Sequence, residues 1–139
     1  LRLMAICRLM LGASFKNVQT SWVKEGLRQS QWLLSCGAND LGGTLINESI
    51  STAAGATHGQ LMAPATLRRA IRDAGRLPVE RNTRYQVLRA FSADGADDPV
   101  HPLDLVDDPE ARFGSYRKLT EQARRQGEEA RRRLALVPA

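Results

Sequence analysis

Residues 37–46, GANDLGGTLI, give the clearest indication of the fold of this 139-residue chain. Gly37 fits the end of a preceding helix, and residues 39–46 are predicted to form a strand. Adjacent glycines cost a strand side-chain packing, so Gly42 and Gly43 are expected where another backbone or a ligand approaches closely. These residues therefore predict a helix followed by a strand, with another backbone or a ligand in close contact with the strand at the two glycines.

The neighbouring sequence repeats this alternation of strand and helix. Alternating apolar and polar side chains predict an earlier strand at residues 15–22, and a helix at 26–36 follows it. A small-residue loop at 47–60 leads to a helix at 64–75 and an extended arm at 77–88. Parallel strands joined by helices need both faces of their sheet covered. We therefore expect an α/β fold that is part of a larger parallel barrel or sheet.

The charge of the chain changes sign twice along its length. Residues 1–93 hold 12 Lys/Arg and 5 Asp/Glu, residues 94–110 hold 7 acids and no Lys/Arg, and residues 111–139 hold 8 bases and 3 acids. A protein that binds nucleic acid more often has one continuous basic face. We therefore expect the acidic block to neutralise its neighbours partly, and we expect no nucleic-acid partner.

The composition after residue 91 predicts two further parts. Residues 92–108 are expected to be an acidic linker, and residues 109–139 a helical, Arg-rich tail with a thin apolar stripe. The basic series Arg68, Arg69, Arg72 and Arg76 is expected to face solvent.

The first helix and the two cysteines indicate the setting of the chain. Residues 1–11 are predicted to be the end of a buried helix, and the start at Leu1 indicates a piece of a longer protein. Cys7 and Cys36 are too few for a disulfide framework and match no metal-site spacing, so we expect buried free thiols. With no targeting segment and no apolar run of membrane length, a cytoplasmic protein is expected.

Polar side chains collect where the predicted strands end, which is where ligands bind in parallel α/β folds. Gln19, Ser21 and Trp22 close the first strand, and Asn47 and Glu48 follow the second. The alternative is that Gln19 and Ser21 only complete hydrogen bonds within the fold. The residues alone do not choose between these interpretations.

The sequence from Asn17 onward resembles a known enzyme family. The resemblance lies in NVQTSWVK (17–24), GANDLGGTL (37–45), NESIS (47–51), AAGA (53–56) and HGQ (58–60), and it continues in Gly75-Arg76, Pro78, Arg81-Asn82-Thr83 and Tyr85. These motifs are similar to the second subunit of FO synthase, a radical S-adenosylmethionine (SAM) system that makes a deazaflavin chromophore. The resemblance covers residues 1–91.

The resemblance implies the C-terminal part of a radical SAM (β/α) barrel, with residues 92–139 as a charged extension. It implies a transferase that joins the hydroxybenzyl group of tyrosine to 5-amino-6-(D-ribitylamino)uracil, working with the first FO synthase subunit. It also implies that substrate is bound by Gln19, Ser21, Trp22, Asp40, Thr44, Asn47 and Glu48. Asp40 or Glu48 would pair with the tyrosine ammonium, and Asn47 or Gln19 would read the uracil edge.

Family membership also implies SAM and a 4Fe–4S cluster held by a Cys-x-x-x-Cys-x-x-Cys loop. This chain lacks that loop, so we expect the cofactors to belong to the full-length protein and the chain alone to be inactive. Two alternatives stay open. The menaquinone-pathway dehypoxanthine futalosine cyclase shares GANDLGGT but has paired acids near residues 47–50. The other alternative is a non-catalytic half-barrel that binds a partner protein.

Overall fold

The computed structural model describes residues 1–58 and 61–135. In these ranges the α-helices are α1 (Arg2–Leu11), α2 (Trp22–Glu25), α3 (Leu27–Ser35), α4 (Ser49–Ala53), α5 (Pro64–Asp73), α6 (Pro109–Phe113) and α7 (Tyr116–Ala135), and the strands are β1 (Val79–Arg81) and β2 (Val87–Ala90). Short 3₁₀ turns lie at Gly12–Ser14 and Pro102–Leu105. The Gly59–Gln60 end of the HGQ motif and the last residues of the predicted tail, 136–139, lie outside the described residues.

The two predicted parallel strands do meet in parallel, but over a single residue pair among the described residues. Gln19 pairs with Asp40. The Thr20 N–H donates to the Asp40 carbonyl at 2.9 Å, and the Asn39 N–H donates to the Val18 carbonyl at 3.0 Å. The parallel order with a helical connection through α3 is thus confirmed, whereas regular strands at 15–22 and 39–46 are wrong.

The backbone on either side of this pair explains why the strands stay short. Helix α2 begins at Trp22, so the first extended segment ends there. Gly42 has a φ of 82°, which turns the second segment away from the pairing direction. Farther along, Ile46 pairs antiparallel with Leu61 instead.

The core lies where α2, α3, α5 and the loop after α3 meet. Its buried side chains are Trp22, Val23, Leu33, Leu34, Ala38, Leu41, Leu67 and Ala70. Helix α3 buries Ser30, Leu33 and Leu34, which share one face at the i, i+3, i+4 spacing. The predicted helices at 26–36 and 64–75 are therefore confirmed, with their apolar faces directed inward.

Helix α1 forms where it is predicted, but the prediction that it is buried is wrong. Leu3, Leu9 and Met10 are 75–81% exposed, and Met4 packs against the core. Hydrogen bonds from Arg8 attach the helix: its Nε donates to the Gly37 carbonyl at 2.7 Å. Apolar periodicity shows which face of a helix is apolar, not whether anything covers that face.

The predicted extended arm is an antiparallel hairpin of β1 and β2. Val79 pairs with Ala90, and Glu80 pairs with Arg89. The Asn82 side chain closes the turn, because its Oδ1 accepts from the Arg84 and Gln86 N–H groups. Tyr85 adopts a left-handed φ of 60° at the tip.

The acidic residues after β2 pack against α5. The Asp98 carboxylate accepts from Arg72 at 2.6 and 2.8 Å and from Arg68 at 2.9 Å. Asp104 accepts from the Ala65 N–H at 2.8 Å, in the first turn of α5. Arg68 is only 7% exposed, so the solvent-facing prediction is wrong for Arg68 and Arg72 and correct for Arg69, whose side chain is 85% exposed.

The tail forms two helices, not the single one predicted from residue 109. Gly114 has a φ of 76°, and the chain bends there between α6 and α7. Side chains at 117–129 are exposed. Among the described helices none is both long enough and apolar enough to cross a bilayer.

Candidate functional site

A cleft of about 1070 Å³ opens between the core, the hairpin and the residues that follow Pro99. Its lining includes Asp40, Gly42 and Thr44 from residues 37–46, and Arg81 and Tyr85 from the hairpin. Apolar side chains of the core and of the strands line much of the remainder. A concave surface with a few convergent polar groups is the usual form of a small-molecule site.

Asp40 is the acidic centre of this cleft. Its side chain is 8% exposed. Its Oδ2 accepts from the Nε and Nη2 of Arg81 at 2.9 and 2.5 Å, and its Oδ1 accepts from the Gly42 N–H at 2.8 Å. The last of these bonds closes a turn between the Asp40 side chain and the backbone two residues later. The Gly42 N–H therefore helps to hold Asp40 in one orientation.

Arg81 is the positively charged partner of Asp40, and it stacks on Tyr85. The guanidinium carbon of Arg81 lies 4.2 Å from the centre of the Tyr85 ring, and Arg81 Nη1 donates to the Asn82 carbonyl at 3.1 Å. A stacked guanidinium keeps a fixed plane. Both residues belong to the family motif, but nothing in the sequence places the hairpin beside Asp40, so they were not among the predicted site residues.

The predicted residues of the first strand lie in different surroundings. Gln19 is exposed and pairs with Asp40 through the backbone, and its Nε2 lies beside Gly42. Ser21 precedes α2 and is half-buried. Trp22 is 2% exposed, and its Nε1 donates to the Gly43 carbonyl at 3.0 Å. Gln19 is thus close to Asp40, while Trp22 packs in the core beneath the glycines.

Asn47 and Glu48, the predicted site residues that follow the second predicted strand, form hydrogen bonds with the tail and with the loop helix α4. Asn47 Oδ1 accepts from the Tyr116 N–H at 2.9 Å, and its Nδ2 donates to the Phe113 carbonyl at 3.5 Å. Glu48 caps α4 by accepting from the Ile50 and Ser51 N–H groups. The structure therefore places Asp40 and Thr44 in the cleft lining and Gln19 next to Asp40 but outside that lining, and it directs Asn47 and Glu48 to other partners.

Glu48 is held in its charged form. Desolvation raises the pKa of its carboxyl group, but the hydrogen bonds from Ser51 and Ile50 lower it more, with a further contribution from the charge of Lys24. The net pKa lies below the ordinary value. Glu48 is thus a carboxylate at neutral pH whose oxygens already accept backbone hydrogen bonds.

The cysteines do not fit an iron–sulfur cluster. Cys7 and Cys36 are free and half-buried. Within residues 1–58 and 61–135 there is no group of three or more His, Cys, Asp or Glu side chains placed to hold a metal ion. A cluster requires several closely spaced thiolates, which this donor set does not provide.

A family model and several curated relatives each match about two thirds of the chain. The family model described as the CofH/MqnC C-terminal region matches residues 1–93. A relative from Methanosarcina mazei, named 5-amino-6-(D-ribitylamino)uracil–L-tyrosine 4-hydroxyphenyl transferase 2, is 48% identical over 90 residues. Relatives from Archaeoglobus fulgidus and Methanococcus maripaludis C5, named as the same transferase without the number, are 51% and 49% identical over 88 residues.

These matches cover 63–65% of this chain and 23–26% of the relatives. The chain thus spans about a quarter of the length of the curated relatives it matches. No solved structure matches it. The resemblance found in the motifs is confirmed, and the chain belongs to the CofH/MqnC C-terminal region family.

Proposed function

We propose that this chain is part of a radical SAM transferase that joins the hydroxybenzyl group of tyrosine to 5-amino-6-(D-ribitylamino)uracil. The observation that carries the proposal is the match of residues 1–93 to the family model, together with relatives named for that reaction that are 46–51% identical over 86–88 residues. The cleft beside Asp40 supports it, because it offers polar groups of both signs in a volume suited to small molecules.

Asp40 is the proposed partner of the tyrosine ammonium. Asp40 lines the cleft, whereas the Glu48 carboxylate accepts hydrogen bonds from the N–H groups at the start of α4. Gln19 is the proposed reader of the uracil edge, because it is exposed next to Asp40 while the Asn47 amide bonds to the tail. Thr44 lines the cleft together with Asp40 and is the third proposed substrate-binding residue.

The cofactors and the remaining fold are assigned to the intact protein. When bound, a 4Fe–4S cluster would supply the electron that cleaves SAM. Because Cys7 and Cys36 do not fit that cluster, no step through it is assigned to the residues of this chain. We propose that residues 1–91 form the C-terminal part of the barrel, which the parallel pairing of Gln19 with Asp40 across α3 supports.

The test is anaerobic turnover by the intact protein that contains this chain, with tyrosine and the ribitylaminouracil as substrates and product detected by mass spectrometry. Asp40→Asn is expected to raise the KM for tyrosine by at least about tenfold, because it removes a charged hydrogen-bond partner. Asp73→Asn is the matched control, since that carboxylate is 59% exposed on α5.

Two results would contradict the proposal. The first is absence of the coupled product from a protein reconstituted with its cluster, above all if dehypoxanthine futalosine is converted instead. The second concerns the site alone: normal turnover and normal tyrosine KM in Asp40→Asn would mean that the substrate binds elsewhere.

A further inference from the structure

We infer that Asp40 and Arg81 together form a receptor for the head group of a free α-amino acid. The Asp40 carboxylate accepts from the α-ammonium, and the Arg81 guanidinium donates to the α-carboxylate. The inference rests on the proposed function, which supplies tyrosine as the amino acid. It adds Arg81 as a specificity-determining residue and assigns the recognition of the carboxylate.

Asp40 retains capacity for an ammonium donor. Both hydrogen bonds from Arg81 go to Oδ2, while Oδ1 accepts from the Gly42 N–H. An ionised carboxylate offers about four lone-pair positions over its two oxygens. One lone pair of Oδ1 therefore has no donor among the described residues and is available to a ligand that enters on the Gly43 side. A side chain at Gly43 would meet no atom within 4 Å, so there is space at this point.

Arg81 retains capacity for a carboxylate acceptor. Among the described residues, its N–H groups donate to Asp40 Oδ2 from Nε and Nη2 and to the Asn82 carbonyl from Nη1. A guanidinium has five N–H groups, so two more are available on Nη1 and Nη2. The stacked Tyr85 ring fixes the plane in which they point. The Arg81 side chain is 28% exposed, so a ligand in the cleft can reach it.

The charge balance of the Asp40–Arg81 pair favours one class of ligand at this point of the cleft, whose wider lining also includes Arg8, Lys16, Arg68, Arg76 and Glu80. The Asp40–Arg81 pair is neutral as it stands, and Asp40 is largely buried. A simple amine or a simple carboxylate would bring one uncompensated charge into a half-buried site, which is costly. A zwitterion brings both charges, so Asp40 and Arg81 each gain a partner, and the pair together with its ligand stays neutral. The geometry therefore favours amino acids over amines and carboxylic acids of the same shape.

The first test needs no substitution. Equilibrium dialysis with the intact protein compares L-tyrosine, tyramine (which lacks the carboxylate) and 3-(4-hydroxyphenyl)propanoate (which lacks the ammonium). Tyrosine is expected to bind at least about tenfold more tightly than either analogue, the effect of one charge-assisted hydrogen-bond pair.

Variants then assign each half of the recognition. Arg81→Gln is expected to abolish the preference for tyrosine over tyramine, and Asp40→Asn the preference for tyrosine over the propanoate. Arg84→Gln is the matched control, because Arg84 is an exposed arginine of the same hairpin outside the cleft lining. A purely structural ion pair would weaken all three ligands alike.

The outcomes separate this inference from the function on which it rests. Equal affinity of wild-type protein for tyrosine and tyramine, with normal turnover, overturns the inference and leaves the transferase proposal standing. Absence of any tyrosine binding overturns both. If Arg81→Gln does not fold, the analogue comparison on the wild type decides the question.

Discussion

Residues 1–91 and the segment from residue 92 onward are held in place by different forces. The first region packs around apolar side chains such as Trp22, Leu33 and Leu67. The second attaches through ion pairs and side-chain hydrogen bonds, chiefly those of Asp98 and Asn47. Buried apolar surface responds little to salt and acid, whereas the strength of a charged contact depends on protonation.

Helix α5 shows both forces on one element. Leu67 and Ala70 face the core, while Arg68 and Arg72 face the acidic segment. The two faces lie side by side on the helix, because Arg68 directly follows Leu67 in the sequence. A helix of this kind can keep one contact while losing the other, so the two regions are expected to separate in stability when the charged contacts are disturbed.

The largest effect is expected from Trp22→Ala. Deleting a fully buried tryptophan leaves a cavity, so the free energy of unfolding should fall by about 3–5 kcal/mol. Urea unfolding followed by circular dichroism measures it, with Trp32→Ala as control because Trp32 is 54% exposed. Equal losses for the two variants would place the core elsewhere.

A smaller loss, confined to the second region, is expected from Asp98→Asn. The substitution leaves Arg68 and Arg72 with weakened partners, and breaking such a partly buried pair should cost about 2–3 kcal/mol. Hydrogen exchange should show faster opening at residues 92–105 than in α3. Asp107→Asn removes an exposed acid and serves as the control; similar exchange in both variants would argue against the ion-pair attachment.

Acid should detach the segment through the same carboxylate. The hydrogen bond from Arg72 and then that from Arg68 outweigh desolvation and lower the pKa of Asp98 to about 2. A lowered folded-state pKa stabilises the fold fully above the unfolded value, near 3.8, and the stabilisation is lost as pH falls toward 2. An acid titration by NMR checks this, and Asp98→Asn should lack that part of the transition. An identical transition in the variant would show that other groups control it.

The smallest effect is expected from Asn47→Gly. Glycine tolerates the left-handed φ of 51° but loses the bonds to Tyr116 and Phe113, which should cost about 1 kcal/mol. Faster exchange of the Tyr116 amide should accompany it. Asn17→Gly, at an exposed loop position, should leave that amide unchanged. Unaltered Tyr116 exchange in Asn47→Gly would contradict a stabilising role for the two hydrogen bonds from Asn47.

Local patterns in the sequence predicted the helices well and the tertiary contacts poorly. The spacing of Leu33 and Leu34 and the position of Pro64 are local signals, and α3 and α5 formed where they indicated. The lengths of the strands depended on φ at Gly42, which a strand pattern does not reveal. The exposed face of α1 could not be predicted because periodicity does not identify a covering partner.

The same limit applies to the candidate site. Asp40 stood out through its position at a predicted strand, but its partner Arg81 lies 41 residues away in sequence. The opposite charges of residues 68–72 and 94–104 were a usable signal for the α5 contact, and the expected neutralisation was correct in kind. The sequence could not show that Asp98 pairs with Arg72 in particular, because that depends on how the chain folds.

Helix α7 is attached to Asn47 at its first residue, so a small rotation at that point displaces the far end of the helix by a larger distance. Its 20 residues extend for about 30 Å at 1.5 Å per residue, and Asn47 holds the first of them. A tilt of about 10° at that joint would carry the far end through about 5 Å on the same helix geometry. A spin label at exposed Arg132 would therefore magnify movements of the Asn47 loop that are too small to detect at the loop itself.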